Sequence, residues 1–186
     1  RNFSENLLKT MNMMTEVDIL LIKQIGLKYL SKIRTLLYYI MCEAPCSVNV
    51  SRMSELIEVS RATIMHYIKC LQDARMINLL YPQGNVYPKK PVRIYMHNTN
   101  LMYALTTQEP DMRSLYETFF YNALHVRHKV NTGVKKASFL IDGRDQFRVC
   151  LPNKPARTSF RAFNAMSGMA IGSHHDIPLW IFGFLY

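Results

Sequence analysis

The segment Ser51–Leu80, SRMSELIEVSRATIMHYIKCLQDARMINLL, constrains the fold more than any other, because two short helical periodicities follow one another with almost no chain between them. Met53, Leu56 and Ile57 form one apolar stripe, and Ile64, Ile68, Leu71 and Ala74 form another, at spacings of three and four residues. Ser51 and Ser60 stand ahead of these stripes, where a hydroxyl oxygen can accept a backbone N–H that the first helical turn leaves open. The connection, about Val59 to Ser60, is too short for an antiparallel return, so the helices cross steeply over a shared core. That is the pattern of a helix-turn-helix.

Ile33, Leu36, Leu37, Ile40 and Met41 supply a third helix upstream, which Pro45 ends. Downstream, Met76 to Tyr81 is rich in strand formers, Pro82-Gln83-Gly84-Asn85 signals a turn, and Val92 to Met96 alternates like a second strand. Three helices followed by a hairpin is the winged-helix order. Outside the core stripe of the second helix lie Arg61, Ala62, Met65, His66 and Lys69, the positions that meet DNA when such a helix enters the major groove. Arg61 and Lys69 suit phosphates and His66 suits a base edge, whereas Ala62 and Met65 offer only apolar contact. Lys89 and Lys90 lie between the two strands and Arg93 near the start of the second, so the wing brings positive charge toward a phosphate backbone. The expected DNA-binding set is therefore Arg61, His66, Lys69, Lys89, Lys90 and Arg93.

Charge supports that expectation: 23 Lys and Arg against 13 Asp and Glu leave a formal +10, which favours a polyanion such as double-stranded DNA. Winged helices also serve as protein docking modules, so an interaction module remains a second reading. Four cysteines, Cys42, Cys46, Cys70 and Cys150, sit in or beside apolar segments without a Cys-x-x-Cys pair and read as small core residues of a reducing compartment. No apolar run reaches the ~20 residues of a membrane span and no signal peptide opens the chain, so a cytoplasmic protein with no membrane partner is expected. The chain begins at Arg1, not Met, and is expected to be a fragment of something longer.

A second domain is expected after the polar stretch Thr106–Arg113. Leu115, Phe119, Leu124 and Val126 predict a helix from about Ser114 to Lys129, with Arg127, His128 and Lys129 complementing the dipole at its C-terminal end. A strand at Val130–Thr132 precedes two alternating runs, Ser138–Asp142 and Gln146–Leu151, joined by the hairpin residues Gly143-Arg144-Asp145. A helix near Arg157–Met166, a short strand at Met169–Gly172 and the apolar end IPLWIFGFLY complete an αβββαβ order. This is the core of restriction-endonuclease-like proteins, whose paired carboxylates hold a divalent metal at the scissile phosphate. Alternation puts Ser138, Leu140 and Asp142 on one face with Gln146, Arg148 and Cys150, so Arg148 occupies a place that calls for an acid and is expected to pair with Asp142. Glu117, Asp142 and Asp145 are the acids left nearby. His174-His175-Asp176 lacks a distant third ligand and reads as a solvated loop, and Phe119, Phe120 and Tyr121 read as packing.

Several segments together resemble the C-terminal part of a family of predicted bacterial AAA-type ATPases: APCSVNVSRMSELIEVSRATIMHYIKCLQDARMI, PVRIYMHNTNLMYAL, ETFFYNALHVRHKV and IPLWIFGFLY. The resemblance implies an ATPase domain followed by a winged helix and a restriction-endonuclease-like domain of unknown function. The family pattern Gly-Asp-Phe is replaced by Ala137-Ser138-Phe139, and Phe-Glu-Val-Gly-Gly-Lys by Phe147-Arg148-Val149-Cys150-Leu151-Pro152. Nothing matches a Walker A loop. The expectation is a mixed α/β chain in which residues 1–32, with Met13, Val17, Leu20 and Leu21 at helical spacing, form the tail of an absent ATPase or lid region. Residues 33–105 are a winged helix-turn-helix, and residues 106–186 a degenerate restriction-endonuclease-like domain. The expected function is non-catalytic DNA binding without cofactor or metal. The alternative is docking onto an ATPase domain or partner chain, and the third reading is a metal-dependent nuclease.

Overall fold

The computed structural model describes residues 2–14, 16–17, 27–84, 90–104, 110–134, 137–152 and 162–185 of a mixed α/β chain. It divides into two compact units, 1–79 with 94–109, and 80–93 with 110–186. The first unit contains α1 (Asn2–Met14), α2 (Leu27–Glu43), β1 (Cys46–Ser47), α3 (Val50–Ile57) and α4 (Arg61–Asp73). The hairpin strands β2 (Ile77–Leu80) and β3 (Arg93–Met96) and the short α5 (Asn100–Ala104) follow. The three strands form one sheet in the order β1-β3-β2.

Ile33, Leu36, Leu37 and Ile40 of α2, Met53 and Ile57 of α3, and Ile64, Ile68 and Leu71 of α4 are buried together with Tyr67 and Cys70. Leu56, expected in this core, is 52% exposed. It lies one residue, about 100° of helical rotation, before Ile57, and α3 is too short to bury so wide an arc. Asn49, not Ser51, caps α3: the helix begins at Val50, and the Asn49 side chain accepts from the Arg52 N–H at 3.0 Å. The tight turn is secured from outside. Glu58 adopts a left-handed conformation (φ 56°), and Lys32 of α2 donates through Nζ to the carbonyls of Ile57 and Glu58 at 3.1 and 2.9 Å, a cation at a helix C-terminus. In α1, Met11 is buried while Met13 and Val17 are exposed, and Leu20 and Leu21 lie outside the described residues. Cys70 and Cys150 are buried as expected of core thiols, but Cys42, near the end of α2, is exposed.

The second unit is built on α6 (Met112–Leu124) and the strands β4 (Val130–Thr132), β5 (Phe139–Ile141), β6 (Asp145–Cys150), β7 (Ala162–Met166) and β8 (Asp176–Pro178), with a terminal 3₁₀ helix, Leu179–Phe184. The sheet order is β4-β5-β6-β7-β8; the first three strands are antiparallel neighbours and the last two run parallel to β6. The helix expected near Arg157–Met166 is a strand over its final residues, and 153–161 lie outside the described residues. Ala and Met favour helices, but a strand hydrogen-bonded on both sides and buried at Ala162, Asn164, Ala165 and Met166 overrides that propensity. The strand expected at Met169–Gly172 lies instead at Asp176–Pro178.

α6 also differs from expectation. Asp111 caps it, it ends at Leu124, and its inward face is Glu117, Phe120, Tyr121 and Leu124, while Val126, Arg127, His128 and Lys129 follow its end. Of the expected stripe Leu115, Phe119, Leu124 and Val126 only Leu124 is buried, because apolar identity alone passes over Glu117. Phe120 centres the packing, with its ring 5.2 Å from Phe139, 5.4 Å from Phe147 and 4.7 Å from Phe182 of the 3₁₀ helix, the last edge-on. No helix among the described residues is long and apolar enough to cross a membrane. Replacing fully buried Phe120 by Ala should lower unfolding free energy by about 3–5 kcal/mol, measured as a lower urea midpoint at unchanged slope; a loss below ~1 kcal/mol would contradict this packing.

Candidate nucleic-acid interface

The outer surface of α4 follows from its inner one. With Ile64, Tyr67, Ile68 and Leu71 turned inward, helical geometry leaves Arg61, Ala62, His66 and Lys69 exposed and Met65 half-buried. Ser60 starts the helix, its Oγ accepting from the Thr63 N–H at 3.1 Å, and so places Arg61 in the first turn. Lys69 pairs with Asp73 at 2.8 Å along the helix, an exposed contact that phosphate can displace. His66 Nε2 lies 3.7 Å from Cys70 Sγ. Underneath, burial first and then Tyr29 and Cys70 push the Tyr67 phenol above its ordinary pKa, which keeps it neutral. Thus Arg61, His66 and Lys69 share one exposed helix surface.

The expected wing residues have different surroundings. Lys89 lies outside the described residues, Lys90 is exposed, and Arg93 is engaged. Arg93 Nη1 donates to Glu117 Oε2 at 2.8 Å; Arg113 Nε, one turn before Glu117 on α6, donates to Oε1 at 3.3 Å, and Ser138 Oγ donates to the same oxygen at 3.4 Å. Glu117 is 4% exposed. A carboxylate so deep needs these donors, because an uncompensated buried charge is strongly destabilising. Tyr81, just after β2, bridges Asn131 of β4, its carbonyl accepting from the Thr132 N–H at 3.0 Å and from Asn131 Nδ2 at 3.2 Å.

Sequence reasoning kept Glu117 only as a leftover acid and did not single out Arg113. The available signal was a lone Glu among the inward positions 117, 120, 121 and 124 of an otherwise apolar helix face, which demands a cation. Strict alternation also misplaced Ser138. Its N–H donates to the Phe147 carbonyl at 2.8 Å although Phe147 is already the register partner of Phe139, so the ladder slips by one residue there and Ser138 turns to Glu117. The turn before it is tight: a Cβ on Gly133 would stand 2.6 Å from the Ala137 carbonyl oxygen.

The ion pair expected between Asp142 and Arg148 does not form. Asp142 sits in the β5–β6 turn at φ 51°, and its carboxylate is held by His128 Nδ1 at 2.7 Å and the Lys129 N–H at 2.8 Å. Arg148, on β6, is in register with Asn164, and Asn164 with Asp176, so one sheet face carries a polar row across three strands. Asn164 Nδ2 donates to Asp176 Oδ1 at 2.7 Å, which makes Asp176 a strand residue and not part of a loop, while His174 and His175 are exposed. Among the described residues no three His, Cys, Asp or Glu side chains gather to hold a metal ion. Ser138 and Arg148 bring no carboxylate to β5 and β6, and the Glu117 carboxylate already accepts from Arg93, Arg113 and Ser138. Comparison with protein-family models, curated proteins and solved structures found no match.

The bonds to Asp142 carry a pH dependence. The hydrogen bond with His128, then the one from Lys129, lowers the Asp142 carboxyl below its ordinary value of 3.8; the backbone N–H of Ser114 chiefly does the same for the capping Asp111. A depressed carboxyl contributes stability that is present above the unfolded value and lost as pH falls through the lower folded one. Stability should therefore fall below about pH 4, and Asp142→Asn should flatten part of that acid limb in urea titrations from pH 2 to 6; an unchanged limb contradicts the assignment.

Proposed function

We propose that this chain is a non-catalytic DNA-binding module, a winged helix followed by a degenerate restriction-endonuclease-like domain, from the C-terminal part of an AAA-type ATPase. The observation that carries the reading is the exposed α4 surface of Arg61, His66 and Lys69, opposite a buried stripe on a helix that follows a tight turn. The three helices with a three-stranded sheet support a winged helix, and the α6-then-strands order supports the second assignment. A net charge of +10 supports a polyanionic partner. The non-catalytic part rests on Ser138 and Arg148 standing where acids are required, and on Glu117 being committed to two arginines. Ala62 and Met65 offer no base-specific hydrogen bond, so the contact favours backbone over sequence.

A second reading, a module that docks onto an ATPase domain, is favoured by the exposed Trp180, Ile181 and Phe184 of the terminal 3₁₀ helix. Light scattering of the chain mixed with the ATPase region tests it: a stable complex supports this reading, and separate monomers count against it.

Anisotropy titration of a labelled duplex at two salt concentrations tests the main reading. Binding should weaken steeply with salt, and Arg61→Ala with Lys69→Ala should reduce the logarithmic salt slope by roughly 2 while weakening all duplexes alike. No affinity at low salt, or an unchanged slope in the double variant, would overturn it.

A further inference from the structure

Glu117 meets more than one cation. One buried carboxylate is bonded by two guanidinium groups, Arg93 on Oε2 and Arg113 on Oε1. The carboxylate is sunk in the fold while the arginines reach solvent: their side chains are 43% and 59% exposed against 6% for Glu117. Arg113 is tied through Nε alone, and among the described residues its two terminal nitrogens make no hydrogen bond. A guanidinium whose inner edge is fixed by a carboxylate presents its remaining donors in one orientation, and that planar fork matches two oxygens of a phosphate. Lys90, exposed and three residues before Arg93, adds positive charge on the same segment. Asp111 is a competing negative charge near Arg113, but its Oδ2 is spent on the Ser114 N–H and hydroxyl as the α6 cap.

We infer that Arg93 and Arg113, oriented by Glu117, form a phosphate-binding site in the second unit, separate from the α4 surface. Glu117 is a positioning residue. It holds two forks at one carboxylate, which lowers the ordering cost that flexible surface arginines meet on binding. The phosphate is that of a nucleic-acid backbone. This identity of the carrier rests on the DNA-binding reading; the site itself rests on the three side chains.

The test uses the full chain with two probes, inorganic phosphate and a labelled duplex, and the variants Arg113→Gln, Arg144→Gln and Arg61→Gln. Arg144 is the control, an arginine of the same unit whose side chain is 86% exposed and whose acidic partner is its neighbour Asp145. Inorganic phosphate should saturably shift the Arg113 Nε–H resonance. Arg113→Gln should weaken duplex binding several-fold and reduce the salt slope by about 1, with Arg144→Gln close to wild type. A resonance that phosphate does not move overturns the site, as does an Arg113→Gln chain that binds duplex like the Arg144→Gln control. A saturable shift without duplex affinity keeps the site and removes nucleic acid as the carrier. A defect in Arg61→Gln alone keeps the α4 interface and removes this site. Should Arg113→Gln melt early, Arg113→Lys retains the charge and loses the fork; it should fold and still bind phosphate more weakly, and equal binding overturns the proposal.

Discussion

A carboxylate cannot be buried without donors, and Glu117 collects them from three segments: Arg93 from the returning strand of the hairpin, Arg113 from its own helix and Ser138 from the approach to β5. Each of these three side chains is thereby tied to α6. Only the removal of both arginines would leave that buried charge uncompensated, at a cost of about 3–5 kcal/mol, comparable with removing a core aromatic. The surrounding hydrophobic packing is less particular. Phe120, Phe139, Phe147 and Phe182 tolerate a range of aromatic geometries, while the carboxylate accepts donors only at hydrogen-bond distance. The second unit takes its large stabilisation from the aromatic cluster and its local alignment from Glu117.

The same group explains why residues 80–84 and 90–93 belong to the second unit. Arg93 is bound to α6, and Tyr81 to the edge strand β4, where backbone groups would otherwise face solvent. Covering that edge is a structural task. Residues that serve it, Tyr81 and Arg93, are constrained where those of an independent wing would be free, which shifts the weight of the DNA-binding proposal toward α4.

Helical periodicity revealed the core of the first unit because α2 and α4 bury one stripe each, and residues at 33, 36, 37 and 40 or at 64, 68 and 71 can serve no other face. It misjudged Leu56 because an eight-residue helix buries less of its circumference than a longer one. The hairpin β5–β6 was visible through its turn residues. Strand β7 was not: Ala162, Asn164, Ala165 and Met166 carry no β signal of their own and become a strand only between β6 and β8. The candidate site divides in the same way. Arg61, His66 and Lys69 follow from helix phase, whereas the partners of Arg93, lying 24 residues away, and the slip at Ser138 depend on tertiary contact.

If the proposed resemblance holds, Ser138 and Arg148 in place of acids do more than remove metal ligands. In a metal-dependent nuclease the carboxylates and the phosphate are both negative, and the cation between them is what lets the substrate approach. On the proposed reading, the arginines of this unit and the inward compensation of Glu117 give the local field the opposite sign, so that a phosphate would be attracted without a mediating cation. Binding and hydrolysis thus make opposite electrostatic demands on the same kind of fold. On the proposed reading, this chain has moved to the binding side of that choice: retaining Glu117 does not restore a metal site, because the negative charge of its carboxylate is already met by two guanidinium groups and a hydroxyl, and the arginines beside it repel a cation.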